Sequence, residues 1–237
     1  MKKIYQYQHG EYIAPQQGFT LVEILAALVI SLFLIAGVIQ LFVGTKQTYR
    51  GHDGLSRIQE NGRFALDAMT RDIRMTGYQP HRSSAIPCPS TLPNPPIQAT
   101  SNSIQIQWCD PVTTPSTPYQ CTPANGICNR SYLVICNSGG SPPCTGGGDN
   151  DFGDLILNSE TSGGNQKLIE GVADMRITPT GNPVTSVTID LLLVSSDQFL
   201  ATQPQTVTFP PGSATSYTAP DRRLVQIFST TVAIRNR

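Results

Sequence analysis

Three groups of residues in this sequence are of types that could do chemistry. The first is a carboxylate set against an apolar run. Glu23 sits immediately before Ile24 to Val43, where only Ser31 and Gln40 are polar. A charge near the middle of a membrane helix costs roughly 2.5–3.5 kcal/mol, and less near an end. Glu23 could escape that cost by snorkelling to the interface. It could also meet a partner: a cut after Gly18 would expose an amine at Phe19, four residues before the carboxylate, and the two charges could neutralise each other inside an apolar bundle. The second group is Cys88, Cys109, Cys121, Cys128, Cys136 and Cys144. Zinc sites call for paired cysteines two to four residues apart. Here the closest two, Cys121 and Cys128, are further apart and no histidine lies between 88 and 144, so disulfides are expected, with 15 possible pairings. The third group is scattered. Asp149, Asp151, Asp154 and Glu160 faintly echo a calcium loop, but an EF-hand has Gly at its sixth position, where Asp154 stands, and the stretch reads as a solvated acidic turn. His9, His52 and His81 have no nucleophile pattern near them, and G-x-S-x-G, Walker A and H-E-x-x-H are all missing. No catalytic residue, metal, cofactor or small-molecule substrate is expected.

The elements that must position these residues begin with the N-terminal segment. The 237 residues carry 14 % charge, with Lys plus Arg equal to Asp plus Glu, which gives no support to nucleic-acid binding. The 20 Gly, 19 Pro and six Cys point to a loop-rich, oxidised part. At 1.5 Å per residue Ile24 to Val43 reaches about 30 Å, the thickness of a bilayer's hydrocarbon core. A plain signal anchor would look like this. A cleaved secretory signal would be shorter and end in a small-x-small site. Lys2 and Lys3 before the run are matched by Lys46, Arg50 and Arg57 after it, so charge does not set the orientation.

Helical spacing continues through Leu55, Ile58, Leu66, Met69 and Ile73, a stripe expected to lie on a sheet. Asp53–Arg57, Arg63–Asp67 and Asp67–Arg71 are spaced to pair on the wetter sides. The reading is one helix over residues 19–78, membrane-spanning over 19–43 and amphipathic over 44–78. A kink or local melting is expected at Gly51–Gly54. Residues 79–237 form the head. Strands are expected at Ser103–Cys109, Ser131–Cys136, Asp154–Leu157, Leu168–Ile177, Val184–Val194 and Leu224–Ile234. Loops should fill Gln79 to Ser101, Pro111 to Asn129 and Asn137 to Gly153, within a cysteine-rich loop region at 88–144. The fold class is α+β, with an antiparallel sheet of roughly six strands against the C-terminal half of the helix.

Gly18-Phe19-Thr20-Leu21-Val22-Glu23, set directly against an apolar helix, resembles the class III signal of type IV pilins and pseudopilins. That resemblance implies a leader at 1–18, cut between Gly18 and Phe19 by a membrane-embedded prepilin peptidase, which also methylates the new N-terminal Phe19. It implies that Glu23 directs docking into a growing filament and that the chain lies N-in, with its head in the periplasm. The leader is longer than in many pilins. Major pilins usually carry a Pro within the apolar run, whereas none occurs between Phe19 and Tyr78, which argues against a major pilin.

Phe64-Ala-Leu-Asp-Ala-Met-Thr-Arg-Asp-Ile-Arg74 resembles a helix-end signature shared by PilW minor pilins and J-type minor pseudopilins. Lys167 to Ile177 and Arg222 to Arg237 look more like the PilW group. The resemblance implies a low-abundance inner-membrane precursor that joins other minor pilins and the major pilin, primes type IV pilus assembly, and sits at the pilus tip on the cell surface, serving adhesion and twitching motility. A J-type pseudopilin of type II secretion is the alternative within the family. A membrane-tethered periplasmic binding or enzymatic domain is the alternative outside it, and would need neither Glu23 nor a cut after Gly18.

Overall fold

The computed structural model describes residues 18–79, 96–109, 127–137, 139–144, 152–159 and 164–235. The described chain divides at Gln47/Thr48 into two compact units. The first holds the N-terminal part of helix α1, which runs Leu21–Met75. The absence of proline and the run of Leu, Ala, Ile and Val make a continuous helix the favoured state. Two hydroxyls in or beside the apolar stretch are satisfied inside the helix itself: Ser31 Oγ donates to the Ala27 and Leu28 carbonyls at 2.6 and 3.0 Å, and Thr45 Oγ1 to the Leu41 carbonyl at 2.8 Å. The helix is continuous across Gly51–Gly54, so the local melting that was one of the two expectations there does not occur.

In the second unit, α1 stops at Met75 because Gly77 turns the backbone left-handed, at φ 73°. The Gly77 N–H then donates to the Gln107 carbonyl and the Cys109 N–H to the Tyr78 carbonyl, each at 2.9 Å, tying the helix end to the sheet. The sheet's strands are β1 Ile97–Ala99, β2 Ser103–Cys109, β3 Ile127–Cys136, β4 Gly153–Ser159, β5 Gly164–Thr180, β6 Ser186–Val194 and β9 Val225–Ala233. They lie in the order β1-β2-β3-β4-β5-β6-β9, antiparallel throughout. Between β6 and β9 the chain makes a separate two-stranded ribbon, β7 Thr206–Thr208 with β8 Ser216–Thr218. The α+β antiparallel architecture read from the sequence is therefore present. Three short strands, β1, β7 and β8, were not expected. Within the 88–144 region, β2 and β3 stand where strands are expected, and β1 is added.

Alternation along β6 divides the core. Leu191 and Leu193 join Ile58, Ala65, Met69 and Ile73 of α1 on one face. Leu192 and Val194 join Phe152, Phe209 and Tyr217 on the other, where the ribbon packs. The helix face differs from the expected stripe. Gly54, Ile58, Gly62, Ala65, Met69, Asp72 and Ile73 are buried, while Leu55 is exposed. On the wetter side Arg57–Asp53 and Arg71–Asp67 pair at 3.1 and 3.4 Å. Among the described residues Arg63 does not join them.

Candidate functional site

Gly18, Phe19 and Thr20 precede the helix and are exposed, and Leu21 opens it. Thr20 is the reason the helix starts there. Its carbonyl accepts from the Glu23 and Ile24 N–H groups at 3.1 and 3.2 Å. Its Oγ1 accepts from the Glu23 N–H at 3.3 Å. Thr20 with Glu23 three residues on has the sequence of a capping box. This local role of Thr20 is legible in the sequence once the helix start is fixed, yet a reading centred on the charge of Glu23 passes over it. A carboxylate in the first turn is also favoured by the positive end of the helix. Gly18–Phe19 thus lies outside the hydrogen-bonded ladder of α1. Phe19 and the large apolar side chains from Leu21 to Val43 are all exposed, and the helix is long and apolar enough to cross a membrane.

The cysteines fall elsewhere. Cys136 and Cys144 are joined by a disulfide, and Cys109 and Cys128 are disulfide-bonded as well. Cys88 and Cys121 lie outside the described residues, as do His9, His81, Asp149, Asp151 and Glu160. His52 is exposed on α1. Among the described residues no cysteine is free, and no group of three potential metal ligands comes together.

A buried polar cluster locks α1 to the sheet. Asp72 Oδ2 accepts from Arg130 Nη1 and from the Tyr132 hydroxyl on β3, all three residues being buried. The Arg130 guanidinium lies 5.4 Å from the centre of the Trp108 ring. Burial first, then the negative charge of Asp72, drives the Tyr132 pKa upward, so its hydroxyl stays a donor.

A cleft of about 380 Å³ is lined by Asn137, Phe152, Asp154, Lys167, Glu170, Gly171, Ser196 and Arg223. Lys167 Nζ bridges Asp154 and Glu170 at 3.1 and 3.2 Å. Burial opposes the lysine's charge, but the hydrogen bonds and charges of the two carboxylates outweigh it and raise its pKa. Arg223 is fully buried, donates to the Ser195 and Ser196 carbonyls, and lies 4.8 Å from the Phe152 ring. Gly171 at φ 79° is required here, because a Cβ would meet the Val194 carbonyl oxygen at 2.6 Å. The charged groups named in the cleft are engaged with one another or with backbone.

Residues 13–39 match the family model described as the prokaryotic N-terminal methylation motif. The chain is 29 % identical over 86 residues to the pilin-like protein PilA3 of Thermus thermophilus, a match that spans 36 % of this chain and 37 % of that protein. It shares a TM-score of 0.42 and 13 % identity with the solved structure of a type IV-like pilin from Thermus thermophilus, over 76 % of this chain and 98 % of that one. The chain therefore carries a prepilin-type methylation motif on a membrane-competent helix and is similar to pilin-like proteins.

Proposed function

We propose that this chain is a minor pilin of the PilW type that primes type IV pilus assembly and sits at the pilus tip, without enzymatic activity. The observation that carries the reading is Gly18-Phe19 held outside the helix by the Thr20 cap, with Glu23 in the first turn of a long exposed apolar helix. The inner membrane holds the precursor, prepilin peptidase processes it, and the head faces the periplasm. Other minor pilins and the major pilin are its partners. Long inter-strand connections and a second layer on the sheet suit a terminal position, where the head need not repeat at tight helical spacing. The proline-free helix supports a subunit other than the major one. Mass spectrometry of the mature protein is expected to show methyl-Phe19 as the first residue. A mature chain beginning at Met1 would sink the proposal. Glu23→Val makes the helix more apolar, so insertion is expected to be unimpaired while filament entry falls. Deleting the gene is expected to cut surface pili sharply, with few copies of the protein per wild-type filament. Normal piliation with a secretion defect would instead select the J-type pseudopilin role, which the Phe64–Arg74 stretch also fits.

A further inference from the structure

Among the described residues, the main sheet ends at β9. The register of β6 with β9 is regular over nine residue pairs, without a bulge. The Leu224 carbonyl accepts from Ser195 N–H, and Ile234 N–H donates to the Thr185 carbonyl, each at 2.9 Å. In an antiparallel ladder these contacts fix the parity: the even residues of β9 bond β6, and the odd residues turn their N–H and C=O away from it. Val225, the first odd residue, has its N–H satisfied by Gln205 Oε1 at 2.8 Å. Ile227, Ser229, Thr231 and Ala233 follow with their backbone groups directed outward, and the last three are exposed. Natural edges are usually blunted by charge, proline or a bulge. Val225 to Ala233 has no charged residue and no proline. The other edge, β1, is only three residues long.

We propose that the β9 edge docks an extended strand of a partner protein, uncharged at its centre and flanked by acidic residues. Backbone hydrogen bonding dictates the extended form. The flanks are set by charge, because β9 lies between exposed Arg222, which rests 4.8 Å from the Phe199 ring and is partly offset by exposed Asp221, and exposed Arg235, where the positive charge is stronger. The same charges disfavour a second copy of this chain as the occupant. Antiparallel pairing of β9 with β9 brings the Arg235 end of one copy against the Arg222 end of the other, and pairing with β1 is limited to three residues. Such docking would operate whether or not the chain enters a filament, so its test stands apart from that of the proposed function.

The probe is a synthetic peptide with a Thr-Val-Thr-Val-Thr centre and Asp-Glu at each end, added to the full chain in detergent micelles. Amide exchange at Ile227, Ser229, Thr231 and Ala233 is expected to be fast in the chain alone and slowed by the peptide, while the even residues of β9 stay protected throughout. Peptide with Lys-Arg ends is expected to bind about fivefold more weakly, in keeping with two or so exposed ion pairs. Arg222→Glu with Arg235→Glu should reverse that preference. Thr231→Pro removes an outward N–H and is expected to abolish binding. Should that variant fail to fold, the charge reversal still reads the edge. The proposal is overturned if the four odd amides are already protected in the chain alone, if a proline-centred peptide protects them equally, or if both flank chemistries bind alike. Protection that rises with chain concentration without peptide would overturn it in favour of self-pairing.

Discussion

Asp72 would be an ordinary polar position on a solvated helix face if it were not buried against β3. With Arg130 and Tyr132 around it, removing one member strands the others in a dry environment. Asp72→Ala is expected to destabilise the head by about 3–5 kcal/mol in denaturant unfolding, whereas replacing both Asp72 and Arg130 by apolar residues of similar volume should cost far less. Asp174 behaves differently. It is buried on β5, with the Met175 N–H donating to its Oδ1 at 2.8 Å. Burial raises its pKa, more than the Met175 hydrogen bond and Arg176 lower it. A carboxyl whose folded pKa lies above its unfolded value stabilises the fold in acid and loses that contribution as pH rises through the folded pKa. Asp174→Asn is therefore expected to match wild type in acid and to become the more stable protein as pH rises towards neutrality. Unfolding free energies measured at about pH 3, 5 and 7 check this. Neither residue's role was legible in the sequence. The partners of Asp72 lie 58 and 60 positions away, and sequence periodicity carries no information about which distant strand a helix meets.

At the scale of elements, the six longer strands were legible because alternation and β-branched composition persist over several residues. The structure lengthened β3, β4 and β5 relative to that reading. Strands of three residues, such as β1, β7 and β8, are too short to show a period and form only because a neighbouring strand is in place. The helix was legible in type and approximate extent, and its buried face only in part. Counting large apolar residues selects Leu55, whereas the packing selects Gly54, under Leu200 of the β6–β7 connection, and Gly62, under Phe228 of β9. A Cβ on Gly54 would meet Leu200 Cδ1 at 2.6 Å, and one on Gly62 would meet the Phe228 ring at 2.5 Å. Gly62 lets α1 approach β9 closely, and Gly54 makes room for Leu200. Gly62→Ala gains up to about 1 kcal/mol of helix propensity but forces the ring aside at about 1–3 kcal/mol. A net loss in thermal stability is expected, relieved by Phe228→Leu. A double-mutant cycle showing simple additivity would contradict the contact.

Over the whole molecule, the methylation motif was the most legible part, since its residues are contiguous in the chain. The head was legible as a class of fold and not as a set of contacts. Its cysteines were readable as a group, while their pairing depends on the three-dimensional course of the chain. Replacing Cys136 and Cys144 with serine opens a short loop and is expected to lower unfolding free energy by about 2–3 kcal/mol on the chain-entropy account. Chemical denaturation with the other cysteines intact measures that. The position of β9 has a bearing on biosynthesis. The core against α1 includes Ile58 from α1 and Val232 and Ile234 from β9 and the residue after it, with Phe228 packed beside them. A ribosome must deliver the chain through Ile234 before that core can close. Until then the partly made head exposes the apolar face of β6, and a nascent chain stopped short of Phe228 is expected to be a substrate for proteases and holding chaperones rather than a folded domain on its membrane helix.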